Sequence, residues 1–310
     1  MSFSPLGNSS CRHWGRIIVV DGAGLGGAEL GAMKLSIFLG VAILLAMLTL
    51  PCVASAQQTA KDFVTSGNAK MDKKDWDGAI ADFTKAIELN PKDAVAYWNR
   101  GSTKQHKHDL DGAIADYTRC IELDPKGGIV GFHYLGRADV KKQKGDFDGA
   151  IADYTKSIES APDTTAPNLF EAYPERGYLR QKKGDLTGAI ADFSRAIELV
   201  PRNANHYYFQ CARLRQQIHD LDGAIADYSH AIKLQPSDPD NYFGRALAKQ
   251  EKTDWDGAIT DFTRVIELVP KSSAGYKYRA IARKAKGDQA GADADFAQAD
   301  KLKPTPPPCP

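Results

Sequence analysis

The chain has 310 residues, with 40 Lys and Arg against 39 Asp and Glu, a net charge of +1 and 43% hydrophobic residues. So even a balance supplies no basic field of the kind that general nucleic-acid binding needs. Five scattered cysteines do not make the disulfide framework of a small secreted scaffold.

The first recognisable stretch is Arg16-Ile17-Ile18-Val19-Val20-Asp21, followed by Gly22, Gly24 and Gly27. A β-branched run before G-x-G-x-x-G has the form of a dinucleotide-binding turn, which requires a helix that crosses back to a second parallel strand. The chain continues instead with Met33, Lys34, an apolar run from Leu35 to Leu50, and Ala54-Ser55-Ala56. A short basic start, an apolar centre and a small-x-small site read as a secretory signal peptide, with cleavage expected after Ala56. On this reading 1–32 is an upstream extension foreign to the working protein, 33–56 is the signal peptide, and the glycines play no part. If 33–56 stayed uncleaved it would tether the chain to a membrane, although its apolar run is short for a span of about 20 residues. Cleavage would leave equal numbers of basic and acidic side chains and three cysteines, Cys120, Cys211 and Cys309.

From Asp77 onward one octet keeps returning. DGAIADFT at Asp77 is followed by DGAIADYT at Asp111 and Asp148, TGAIADFS at Thr187, DGAIADYS at Asp222, DGAITDFT at Asp256 and AGADADFA at Ala290. Each copy is closed by a proline, namely Pro91, Pro125, Pro162, Pro201, Pro236, Pro270 and Pro304, at spacings of 34, 37, 39, 35, 34 and 34 residues. This period is that of one helix-turn-helix per repeat. Seven units are expected over 60–91, 92–125, 126–162, 163–201, 202–236, 237–270 and 271–304, with a proline-rich tail at 305–310.

Within each unit the octet belongs to the second helix. Apolar residues at i, i+3, i+4 and i+7, such as Trp76, Ala79, Ile80 and Phe83, give it one greasy face. An aspartate stands one residue before that stripe in every unit (Asp75, Asp109, Asp146, Asp185, Asp220, Asp254, Asp288), where it can cap the first amides and complement the helix dipole. The first helix carries an aromatic residue near its start, as at Tyr97, and a small residue four later, as at Gly101. Together with the octet alanine this lets the two helices cross closely. In six units the second helix holds two isoleucines seven apart, such as Ile80 with Ile87, which the next unit must cover; in the seventh they become Asp293 and Asp300, as an end cap requires.

The recurring aromatic, Gly/Ala, Ala, Phe/Tyr, Ala and Pro at this period resembles the tetratricopeptide repeat. The resemblance implies an all-α fold, an α-solenoid of seven helix-turn-helix units wound into a right-handed superhelix whose first helices line a concave groove. Groove positions would then include Asn68, Trp98 and Ser102 from the first two units. Leu135, Asp139, Tyr178 and Gln181 would come from the next two. Phe209, Arg213, Phe243, Gln250, Lys277 and Lys284 would come from the last three. Some family members clamp a C-terminal carboxylate with two Lys, Asn and Arg; here Asn68 and Asn99 fit but Val64, Phe132 and Gly136 stand at the cationic positions, so that clamp is excluded. One departure from the family is consistent. Where Leu is usual, this chain has Arg100, Arg137, Arg176, Arg245 and Arg279, and an aspartate precedes each octet aromatic. These arginines and aspartates are expected to pair, within or between neighbouring units, because a half-buried guanidinium needs a carboxylate.

No set of residues converges in the manner of a catalytic or metal site. His106 and His108 are two apart and would point different ways on a helix, and the remaining histidines are expected singly at surfaces. Cys120 and Cys211 are expected as buried thiols. The chain is therefore read as non-enzymatic, without cofactor, metal or small-molecule substrate, and exported to a periplasmic or extracellular site. Its expected partner is a protein or peptide segment held in the groove, with membrane contact only through an uncleaved 33–56; a membrane-tethered assembly factor is the alternative. The close helix crossing is testable: Ala150→Leu should overpack it and cost about 1–3 kcal/mol, read as a fall in the midpoint of denaturant unfolding.

Overall fold

The computed structural model describes residues 58–302, save 162, 164 and 165. The signal peptide with its cleavage after Ala56, the glycine-rich stretch, Pro162, Pro304, Cys309 and the 305–310 tail lie outside the described residues. Fourteen α-helices fill the described range, and it contains no strand. They come in seven consecutive pairs: α1 (Ala60–Asp72) with α2 (Trp76–Leu89), α3 (Ala94–His106) with α4 (Leu110–Leu123), and α5 (Val130–Lys144) with α6 (Phe147–Glu159). Next are α7 (Leu169–Lys182) with α8 (Leu186–Leu199), α9 (Ala204–Gln217) with α10 (Leu221–Leu234), α11 (Pro239–Glu251) with α12 (Trp255–Leu268), and α13 (Ser273–Lys286) with α14 (Gln289–Lys301). Each helix packs on its sequence neighbours, and α1 touches α3, α3 touches α5 and α9 touches α11. The result is an all-α helical-repeat solenoid with its first helices side by side.

Each second helix starts the same way. The residue before the capping aspartate is left-handed in all seven pairs: a glycine at Gly145, Gly184 and Gly287, and a residue with a side chain at Lys74, His108, His219 and Thr253. The aspartate then accepts a hydrogen bond of 2.9–3.0 Å from the backbone N–H of the octet glycine three residues on. That glycine is required, because a Cβ at Gly78 or its equivalents would lie 2.1–2.3 Å from the capping carboxylate. One turn further, the octet alanines Ala79, Ala113, Ala150, Ala189, Ala224, Ala258 and Ala292 have no exposed surface. The crossing is as close as the small residues foretell.

Charge then ties the units together. The octet aspartates are buried, 2–8% exposed, and a carboxylate so placed needs cationic hydrogen-bond partners. Arg100, Arg137, Arg176, Arg245 and Arg279 supply them within their own unit. Each Nε donates to Oδ2 at 2.8–3.0 Å and each Nη2 to Oδ1 at 2.7–2.8 Å, onto Asp116, Asp153, Asp192, Asp261 and Asp295. A second cation four residues on (Lys104, Lys141, Arg180, Lys249, Arg283) lies 2.7–2.9 Å from the same carboxylate. The guanidinium also sits over the aromatic ring three residues before it, 5.5–5.8 Å from the centroid. Its remaining Nη1 crosses to the preceding unit and donates to the hydroxyl that ends the octet there, Thr84, Thr118, Thr155, Ser229 or Thr263, at 2.9–3.1 Å. The link thus has a part within the unit and a part between units. The sequence pattern leaves those two open as alternatives, and the Thr or Ser that ends six of the seven octets does not by itself say what the hydroxyl meets.

Two units lack the arginine. In the first, Asp82 is held by Ser66 and Lys70, both at 2.6 Å. In the fifth, Cys211 stands in the arginine's place, and Asp227 has Arg215 at 3.0 Å without hydrogen-bond geometry. Burial there outweighs the attraction of Arg215 and His230 and the carboxyl is pushed up to about 6. At the far end Asp293 and Asp300 are exposed and Phe296 is only half-buried, whereas the equivalent Phe262 has no exposed surface. Among the described residues no unit is stacked on α14.

Two outcomes are expected. Arg245→Met leaves Asp261 buried with Lys249 alone, and should cost about 3 kcal/mol in denaturant unfolding. For Asp227 the folded carboxyl lies above its unfolded value, so its contribution favours the fold below pH 3.8 and is lost as pH rises through about 6. Asp227→Asn should therefore raise the melting temperature at pH 7, and that gain over the native chain should vanish near pH 4.

Candidate functional site

The exposed side of the first helices carries the residues left over once packing is satisfied. Among the described residues its hollows include three of distinct character. The largest, about 600 Å³, is a slot between α9 and α11 walled by Phe209, Phe243 and Leu247, with Arg213, Asp240 and Glu251 at its rim and Tyr228 at its base. Gly244 keeps it open: a Cβ there would lie 2.3 Å from the Tyr228 ring. Tyr228 donates to Gln216 Oε1 at 2.9 Å, and burial pushes its hydroxyl up to about 12, so it stays neutral. A second hollow, about 480 Å³, is apolar, formed by Val95, Trp98, Ile129, Phe132 and His133. The third, about 370 Å³, is polar and mostly acidic, with Asp139, Glu171 and Glu175 around Lys142, and Tyr207 in its wall.

The expected groove residues divide accordingly. Phe209, Arg213 and Phe243 meet at the aromatic slot. Phe209 and Phe243 are held edge-on to Tyr228 and Phe262, at 5.8 and 5.5 Å, and exposed Arg213 lies over Phe209 at 5.8 Å. Trp98 is half-buried, 4.8 Å from Tyr117 and 5.3 Å from His133; its ring also covers Gly136, where a Cβ would meet it at 2.8 Å. Asp139 accepts from Tyr154 at 2.5 Å, and Tyr178 shares a hydrogen bond of 2.5 Å with His206. Asn68 is exposed and accepts from Asn99 at 2.9 Å. Ser102, Gln181 and Gln250 are half-buried, and Lys277 and Lys284 are exposed near the end of the array.

Leu135 is a correction. It is buried in the core formed by Ala138, Ala150, Tyr154, Ala172 and Leu179, so it packs the solenoid and lines nothing. The histidines need a second correction, since His133 is only 4% exposed and burial against Trp98 holds it below its ordinary value, hence neutral. Three others are at the surface in company: His106 stacked on Trp76, His230 on Tyr208, and His219 bonded to Glu251. Leu247, Asp240 and Glu251 were missed, although successive steps of three or four residues, from 240 to 243 to 247 to 251, put them on one helix face with Phe243.

Burial pushes the Cys120 and Cys211 thiols up to about 12, so neither is a thiolate near neutrality. Among the described residues no three His, Cys, Asp or Glu side chains cluster as metal ligands, and no helix is long and apolar enough to cross a membrane.

Comparison with known proteins agrees with the geometry. The family model described as TPR repeat matches residues 67–105, and two described as tetratricopeptide repeat match 94–126 with 134–164, and 240–272. No curated protein matches the sequence. Among solved structures the chain is similar to MamA, at 25% identity over 57% of this chain and 93% of that one, with a TM-score of 0.51. It also resembles YrrB, described as a TPR protein with an unusual peptide-binding site, at 22% identity over 66% and 97% of the two chains, TM-score 0.51. The C-terminal part of a TPR repeat-containing protein from Cytophaga hutchinsonii gives 18% identity over 77% and 95%, TM-score 0.60. Repeat models thus match four stretches of the chain, and the described helices continue the same paired architecture outside them, so the chain carries tetratricopeptide repeats.

Proposed function

We propose that the chain is an exported, non-enzymatic interaction scaffold that holds a segment of a partner protein along its first helices. The observation that carries this is the slot between α9 and α11. Its aromatic walls are pre-positioned by Tyr228 and Phe262, and charged side chains of both signs stand only at its rim, which is the arrangement of an anchor pocket for one apolar side chain of a peptide. Export rests on the Met33–Ala56 sequence, and amino-terminal sequencing of protein recovered from the producing cells should give Gln57.

Peptides selected by display against the protein should bind through the slot. Phe243→Ala should weaken the selected peptides at least about tenfold, as loss of an anchor pocket does. Because Phe243 also packs on Phe262 and Tyr278, the exposed Arg213→Glu serves as the companion variant: it should alter affinity while leaving the melting temperature unchanged. Peptides that bind all three proteins alike would refute the slot.

A further inference from the structure

The joints between units are alike except one. At five of them two polar links recur. The first is the Nη1-to-hydroxyl bond already described. The second joins a lysine just past the first helix to the leading aspartate of the preceding octet: Lys107 with Asp77, Lys144 with Asp111, Lys183 with Asp148, Lys252 with Asp222, and Lys286 with Asp256. Between the fourth and fifth units both are gone. Cys211 replaces the arginine and leaves the Ser194 hydroxyl without that donor, Ile218 replaces the lysine, and Thr187 replaces the aspartate. The two exposed changes match each other, since a lone Lys or a lone Asp would have remained without its partner. The fifth unit in this respect resembles the first, which is the first among the described residues and likewise lacks the arginine.

Other contacts fill this joint. Phe193 and Tyr207 stack at 6.0 Å, Tyr178 meets Phe193 edge-on at 4.9 Å, and Ala189, Ala196, Cys211 and Leu214 complete a core shared by the two units. On the groove side the Tyr178–His206 bond remains. Apolar burial is non-directional and survives rolling of one surface over another, whereas a bidentate ion pair with a third bond to a hydroxyl fixes angle as well as distance. We propose that the array consists of two blocks, 60–199 and 204–301, that change their mutual angle about this apolar joint while every other joint stays fixed. The acidic hollow, whose wall includes Tyr207 from the second block, is then the part of the surface whose shape the angle sets, and the aromatic slot moves as a rigid piece of the second block.

The test needs no partner, so its result bears on the joint and not on what the groove holds. Ala81, Ala152, Ala226 and Ala294 occupy equivalent exposed positions on the second helices of the first, third, fifth and seventh units, and each can carry a spin label through an unnatural amino acid. The distance distribution for the pair at 152 and 226, which spans the joint, should be about twofold broader than those for 81 with 152 and 226 with 294. Thr187→Asp with Ile218→Lys, which restores the missing surface pair, should narrow it. Asp256→Thr with Lys286→Ile, which removes the surface pair at the last joint, should broaden 226 with 294. Equal widths for all three pairs, or a width unmoved by restoring the pair, would overturn the proposal.

Discussion

A carboxylate buried in every repeat is the constraint on which this structure turns. An ionised aspartate that is 2–8% exposed is tolerable only with cations placed to hydrogen-bond it, and in five units one arginine meets that need in a fixed bidentate geometry. Because both carboxylate oxygens are then committed, the guanidinium has one direction left, and that direction leads to the neighbouring unit. The hydroxyl it finds there is itself fixed, since it donates to the carbonyl four residues before it on the same helix. A charge problem inside one unit is thereby converted into a register between two.

With that link in place, most letters of the octet DGAIADFT have a physical job. The leading aspartate pairs with the lysine of the next unit, the glycine leaves room for the capping carboxylate, the first alanine permits the close crossing, and the isoleucine faces the next unit. The second alanine is exposed, the inner aspartate holds the arginine, the aromatic ring fills the core, and the final hydroxyl receives the next arginine. The repeat architecture, the caps and the Arg–Asp pairing were legible because they depend on residues close in sequence or on recurrence itself. What stayed hidden depends on how neighbouring helices register. The partners Arg100 and Thr84 are sixteen residues apart on different helices, and no periodicity within one helix points from one to the other. Leu135 holds the same repeat position as Trp98, Phe209 and Phe243, one residue after the unit's tyrosine, yet it is buried against Ala138, Tyr154, Ala172 and Leu179, contacts that no pattern within its own helix announces. Nothing local in the sequence announces the Trp98 ring that covers His133, so its burial is not legible there.

The surface along the first helices is uneven by construction. Where positions are not committed to the link or the crossing, the sequence varies from unit to unit, and this is where apolar, acidic and aromatic hollows succeed one another. Recurrence marks what holds the array together, and departure from recurrence marks what the array can do. The slot of Phe209 and Phe243 and the unlinked joint at Cys211 and Ile218 are both departures of that kind, and neither disturbs the octet core on which folding relies.

Coupling of successive units by the arginine is open to direct measurement in a double-mutant cycle on Arg245 and Ser229, with Arg245→Met, Ser229→Ala and the double variant compared in denaturant unfolding. The two substitutions should be non-additive, with a coupling of about 0.5–1.5 kcal/mol, as for a hydrogen bond that only the intact pair makes. Strict additivity would show that the hydroxyl and the guanidinium are neighbours without being a link, and would contradict the coupling.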